Sequence, residues 1–140
     1  MNTSPRDPRP LLTALWIFVV LNFFARDIHE LGRPGMLEQM MSGVIDGVEI
    51  TEALMLLGGV MIEIPILMAV LALVLPRRIN RWTNAGAGFL TTAMIIAANL
   101  DPDLDNLFFM IIQLIALAII SRVAWVWSED QSADASARSR

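Results

Sequence analysis

One acidic residue stands in the middle of a long apolar stretch: Glu63, in Ile62-Glu63-Ile64-Pro65. An ionised carboxylate at that depth of a membrane span costs ~2.5 kcal/mol or more unless it is neutral, paired or wetted by a cavity. A carboxyl that trades its proton for a cationic substrate is the physical basis of a proton-coupled exporter. The same residue also reads as a protonated side chain hydrogen-bonded to a neighbouring helix, including the carbonyl that Pro65 leaves without a donor. Asn22, Arg26, His29 and Glu30, with Arg33 beyond, form a second group. Their spacings of three and four place them on one stripe of a helix end. Arg26 and Glu30 can pair at i, i+4, and an imidazole ordinarily changes charge near neutrality. Functionally this stripe is the mouth of a site leading inward to Glu63; structurally it is an interfacial helix end with snorkelling charges.

Gln113, Thr91 and Thr92 lie inside later apolar stretches, with Asn99 near the outer end of the third. A ring of Glu63, Gln113, Thr91 or Thr92 and Asn22 can form in the outer half of a four-helix bundle and hold a lipid, small molecule or partner. Interhelical hydrogen bonds made only for packing would use the same residues, at ~0.6 kcal/mol each on average.

What the chain lacks removes whole classes of chemistry. With no cysteine there is no disulfide, Cys-ligated zinc, iron–sulfur cluster or CxxC redox pair. All ten basic residues are arginine, so P-loop and Schiff-base lysines are absent. The single histidine cannot ligate a haem twice, and it is the only candidate base for a catalytic triad. Asp101, Asp103 and Asp105 alternate like the start of an EF-hand loop. Pro102, Asn106 and Ile112 stand where that loop needs other residues, so helix capping by Asp103 or Asp105 is the reading. No metal, no cofactor and no enzymatic activity are expected, and no nucleic acid is expected as a partner.

These residues need elements to hold them. Of 140 residues 56% are hydrophobic and 17% charged, with mean hydropathy +0.60 and net charge −4. A soluble domain carries about a quarter charged residues, so the composition is that of a membrane protein. The expected fold is all-α: a four-helix transmembrane bundle with spans at about 11–31, 53–75, 83–100 and 107–127. Residues 1–10 and 128–140 read as disordered ends. The first apolar run lacks the small residues of a cleavage site and reads as an uncleaved helix. Thr51 is a fair N-cap for the second span, Pro76 ends it, and Pro65 should kink it near Met61. Residues 76–82 read as a tight basic loop. In the long first connection, Met36, Leu37, Met40, Met41 and Val44 recur at helical spacing before an Asp46-Gly47 turn. A short amphipathic interfacial helix and a loop with apolar anchors both fit.

Arg6, Arg9, Arg77, Arg78, Arg81, Arg122, Arg138 and Arg140 fall on one side of this arrangement, and only Arg26 and Arg33 on the other. The positive-inside rule then makes both termini cytoplasmic, in a multi-pass cell-membrane protein. Trp82, Trp125 and Trp127, with Trp16 less than two turns inside the first span, gather at the cytoplasmic ends. The third span has small residues on every face, which suits close packing within the chain or a homodimer contact.

Leu15 to Val19, Met61-Ile62-Glu63-Ile64-Pro65-Ile66 and Asn80-Arg81-Trp82-Thr83-Asn84-Ala85 make the chain resemble an uncharacterised family of small bacterial four-span integral membrane proteins, over residues 11–127. The resemblance implies a four-helix membrane bundle; the family has no established activity, so no site residue is carried over. The chain is also similar to small multidrug exporters in span number and single buried Glu. It departs from them in placing that Glu in the second span, in its long first loop and in lacking tyrosine.

Overall fold

A computed structural model of the chain describes residues 7–100 and 102–127. The expectations for residues 1–6 and for the 128–140 tail lie outside the described residues. Four long helices dominate: α1 (Arg9–Leu31), α3 (Glu52–Val74), α4 (Arg77–Ala98) and α5 (Leu104–Val126). Between α1 and α3 lie a short helix α2 (Met36–Ser42) and a two-stranded hairpin, β1 (Val44–Ile45) and β2 (Val48–Glu49).

Local chemistry sets most of these boundaries. Pro10 sits in the first turn of α1, where a missing N–H removes no helical bond. The Thr51 side chain accepts from the Leu54 N–H at 3.2 Å and caps α3. Pro76 follows directly on the last residue after α3, as expected. The Asp103 side chain caps α5 by accepting from the Asn106 N–H at 3.2 Å. Within the long connection, helix and hairpin replace the loop alternative. Gly35 (φ 82°) opens α2 and Gly43 (φ 77°) closes it, both in the left-handed region that glycine enters without steric cost. Asp46 (φ 47°) and Gly47 (φ 80°) then form a tight turn with both central residues at positive φ. That turn matches strand twist, so Ile45 pairs with Val48 and Val44 with Glu49. Asp-Gly between apolar residues is a hairpin signature; reading it only as a turn missed the two strands.

Two expectations need correction. Residues 76–82 are not a loop: α4 starts at Arg77, with Pro76 as N-cap. The third span, expected at 83–100 and rich in Ala, Gly and Thr, is the second part of the longer helix α4. Three helices, α1, α3 and α5, are long and apolar enough to cross a membrane, and α4 is not among them. Its first two turns hold Arg77, Arg78 and Arg81, and its buried face holds Asn80, Asn84 and Thr91. Helix α3 runs through Pro65 without interruption of its assigned helix.

The long helices pack as a ring: α1 against α3 and α5, and α4 against α3 and α5. Each contributes one stripe at helical spacing: Leu12, Trp16 and Val19; Pro65, Met68 and Ala72; Asn80, Asn84, Gly88, Thr91 and Ile95; Gln113, Ala116, Leu117, Ile120 and Ala124. Contacts at the ends fix the relative directions. The Arg77 Nε–H donates to the Trp127 carbonyl at 2.9 Å, and the Arg9 guanidinium lies 5.9 Å from the Trp127 ring. The start of α1, the start of α4 and the end of α5 therefore share one end. His29 and Asp105 meet at the other, 3.0 Å apart. The outward surface is crowded with large apolar side chains, among them Ile17, Leu21, Met55, Leu56, Phe89 and Ile115. A soluble protein of this size would bury such faces.

Candidate functional site

The buried polar groups come mainly from α4, on a stripe that sequence reading divided between a loop and a span. The Trp16 Nε1–H donates to Asn84 Oδ1 at 2.7 Å. Asn84 Nδ2 donates to the Asn80 carbonyl at 2.7 Å and meets Asn80 Oδ1 as well. Asn80 Nδ2 donates to the Ala72 carbonyl at 2.6 Å. That last bond has a specific cause. In a continuing helix the Ala72 carbonyl would be served by the N–H of residue 76, which is proline and has none. The Asn80 side chain supplies the missing donor. Trp16, Asn80 and Asn84 are all fully buried. Trp16 is thus a core residue and not an interfacial anchor, because its indole N–H finds a partner at depth. The signal was present in the spacing: 80, 84, 88, 91 and 95 advance by four, four, three and four, one continuous face of a helix.

Thr91 and Gln113 lie buried on α4 and α5, with Thr91 Oγ1 and Gln113 Nε2 lacking a hydrogen-bond partner among the described residues. Thr92, one residue on, is half-buried. Asn22 turns back on its own helix, donating to the Phe18 carbonyl at 3.1 Å, and Asn99 does the same to the Ile95 carbonyl at 2.7 Å. Glu63 joins none of them. It lies halfway along α3 and is exposed on the outside of the ring, while Pro65 and Met68 face the core. A polar ring containing both Glu63 and Gln113 is not what the helices assemble.

The stripe at the end of α1 does come together, with partners from elsewhere. The Arg26 Nε–H donates to Asn106 Oδ1 at 2.6 Å, and Asn106 Nδ2 donates to Glu30 at 3.5 Å. Arg33 pairs with Glu30 at 3.0 Å and with Asp46 at the hairpin turn at 3.1 Å. The Asp46 hydrogen bond raises the Arg33 guanidinium further above its already high pKa. The Asn106 backbone N–H holds the Asp103 carboxyl below the usual carboxylate range. A cavity of about 410 Å³ lies between the end of α1, α2 and the hairpin, with Arg26, Asp27, Glu30, Met36, Met40 and Asp46 in its wall. Arg26, Glu30, Arg33, Asp46 and Asn106 satisfy one another and act as a clasp joining α1, α5 and the hairpin. Among the described residues no three His, Asp or Glu side chains gather to hold a metal ion.

A family of unknown function, DUF6326, matches residues 5–134, slightly more of the chain than the resemblance spanned. No curated protein and no solved structure matches it.

Proposed function

The chain belongs to DUF6326, a family of unknown function, and from that premise we propose that it is a membrane-embedded assembly module without catalysis of its own. Its four long helices all span the bilayer, both termini are cytoplasmic, and it associates with a second copy through α3. The inward placement of polarity on α4 supports four spans: Asn80, Asn84 and Thr91 are covered by the other helices, while Phe89, Leu90 and Ile96 face outward. At 22 residues α4 is about 33 Å long, and the part beyond Arg81, about 25 Å, is at the short end of what crosses the hydrocarbon core.

The observation that carries association is the outward Glu63. Every residue from 51 to 60 is exposed as well, so the first half of α3 has apolar faces that nothing in the chain covers. A carboxyl facing hydrocarbon needs a partner. A second copy provides one. The arginine bias gives every copy the same orientation, and a two-fold axis along the membrane normal then brings Glu63 opposite itself at equal depth. There two protonated carboxyls, or one sharing its proton, hydrogen-bond. Gly58 and Gly59, a turn away, have no atom within 4 Å of an added Cβ, which leaves room for close backbone approach. On α4, Gly88 is already used within the chain, 3.4 Å from Ser121 Oγ, while Gly86 is as open as Gly58 and Gly59; the outward carboxyl of Glu63 is what favours the α3 face over α4.

The natural absence of cysteine makes the test direct. Leu56→Cys, Val60→Cys and Leu67→Cys are expected to form disulfide-linked dimers in oxidised membranes, and Phe89→Cys on α4 is not. Glu63→Leu should reduce the dimer about tenfold, the scale of one interhelical hydrogen bond of ~1–2 kcal/mol, with Glu63→Gln retaining it. A chain monomeric in mild detergent and silent at all three α3 positions would overturn the reading. An exporter would need its passage between copies, because Glu63 lies outside the ring. Proton-dependent flux in liposomes, lost in Glu63→Gln, would replace the assembly reading with that one.

A further inference from the structure

Arg77, Arg78 and Arg81 lie within the first five residues of α4. This is the wrong place for positive charge on ordinary helix electrostatics. The N-terminus of a helix carries roughly half a positive charge, and carboxylates belong there. Here the first turn has no acidic residue. Arg77 and Arg81 stand at i, i+4 and Arg78 and Arg81 at i, i+3, spacings at which like charges repel. None of the three forms an ion pair with a carboxylate among the described residues, in contrast to Arg33 at the opposite end.

Together with Trp82 these arginines line a cavity of about 430 Å³. Arg77 is anchored by its Nε–H on the Trp127 carbonyl, and the Arg81 guanidinium stacks 3.8 Å from the Trp125 ring centre. Arg81 Nε is buried without a hydrogen-bond partner. Trp82 and Trp125 meet edge to face with ring centres 5.9 Å apart. The Arg77 and Arg81 guanidinium groups are thus held in place, Arg81 beside an aromatic ring, and none of the three arginines has a carboxylate partner among the described residues.

We propose that this cavity binds the phosphate of an anionic phospholipid from the cytoplasmic leaflet. A phosphodiester offsets the arginine repulsion and the helix dipole together. Trp82 is exposed and belongs with the tryptophans that sit at headgroup level. Exposed Ile79 and Trp82 offer apolar surface beside the cavity for the start of an acyl chain. A lipid therefore gains more here than free phosphate does. The inference rests on the membrane reading above, not on dimerisation.

The full chain is placed in phosphatidylcholine nanodiscs with and without phosphatidylglycerol as the only anionic lipid. Binding is read by native mass spectrometry of retained lipid and by thermal unfolding. Phosphatidylglycerol should be retained in preference to phosphatidylcholine and raise Tm, with the gain shrinking at high salt. Arg78→Gln, which breaks no contact within the chain, should lower the preference about fivefold, the effect of one interfacial arginine. Arg78→Gln with Arg81→Gln should abolish it, and Arg122→Gln, outside the cavity, should leave it intact. Equal retention of both lipids by the folded chain, or no effect of Arg78→Gln, overturns the proposal. Inorganic phosphate producing the whole Tm shift in phosphatidylcholine alone overturns the lipid assignment in favour of a free anion. Failure of the chain to partition with membranes at all would strike the membrane reading itself, and is scored separately by fractionation.

Discussion

Asn80 serves the one carbonyl at the end of α3 that proline prevents the backbone from serving, and Asn84 connects that repair to Trp16 on α1. Three helices are thereby joined by side chains with no solvent to replace a lost partner. An orphaned buried carbonyl or indole N–H costs about 1–3 kcal/mol. Asn80→Leu is therefore expected to destabilise the protein by about 1–3 kcal/mol, measured by circular dichroism melting in detergent. Trp16→Phe and Asn84→Ala should each cost about 1 kcal/mol or more, and less than their sum when combined. Additive effects would show that the 2.7 Å contact contributes little. Neither asparagine titrates, so this network positions helices and transfers no proton. The sequence offered Glu63 as the conspicuous polar residue, while the residues that organise the core are three uncharged ones.

Helix ends were readable where a single residue type performs the capping. Thr51, Pro76 and Asp103 stand where a side-chain oxygen or a missing N–H forces a boundary. The start of α4 was not readable, because Arg77, Arg78 and Arg81 look like a basic loop until the asparagine stripe is traced through them. The facing of Glu63 was hidden for another reason. Helix α3 is apolar almost all round, so no amphipathic pattern fixes its rotation; Pro65, Met68 and Ala72 turn inward by shape. At the start of α5 the Asp103 cap leads to a pH prediction. Its folded pKa lies below the ordinary value of 3.8, chiefly through the Asn106 N–H. The unfolded chain therefore binds the proton more readily. The cap's contribution is complete above 3.8 and is lost as pH falls through the lower folded value. Asp103→Asn keeps an oxygen acceptor and cannot titrate, so its stability should fall less steeply than the parent's between pH 5 and pH 3. Identical acid profiles would remove Asp103 from the account.

Across the whole molecule, the two ends of the ring differ in how their charges are satisfied. Arg26 and Arg33 are bound to Asn106, Glu30 and Asp46. At the opposite end Arg78 stands without a partner among the described residues, and Arg77 and Arg81 hold only a carbonyl and an aromatic ring. The positive-inside bias counts arginines whatever carboxylates lie beside them, and Arg77, Arg78 and Arg81 are grouped at this end. This asymmetry bears on the proposal that α4 spans. Three spans would leave the ends of the chain on opposite sides of the bilayer, and four place them on the same side. The contact of Arg9 and Arg77 with Trp127 puts the start of α1 beside the end of α5, the arrangement that the four proposed spans require. A reporter fused after residue 140 is therefore expected to be active only in the cytoplasm, and one inserted between Asp46 and Gly47 only outside. Replacing Arg77, Arg78 and Arg81 together by Gln removes the strongest bias and should yield mixed orientation with both reporters partly active. A C-terminal reporter active only outside would mean that α4 lies along the membrane surface, and its buried asparagines would then face the headgroups instead of α1 and α3.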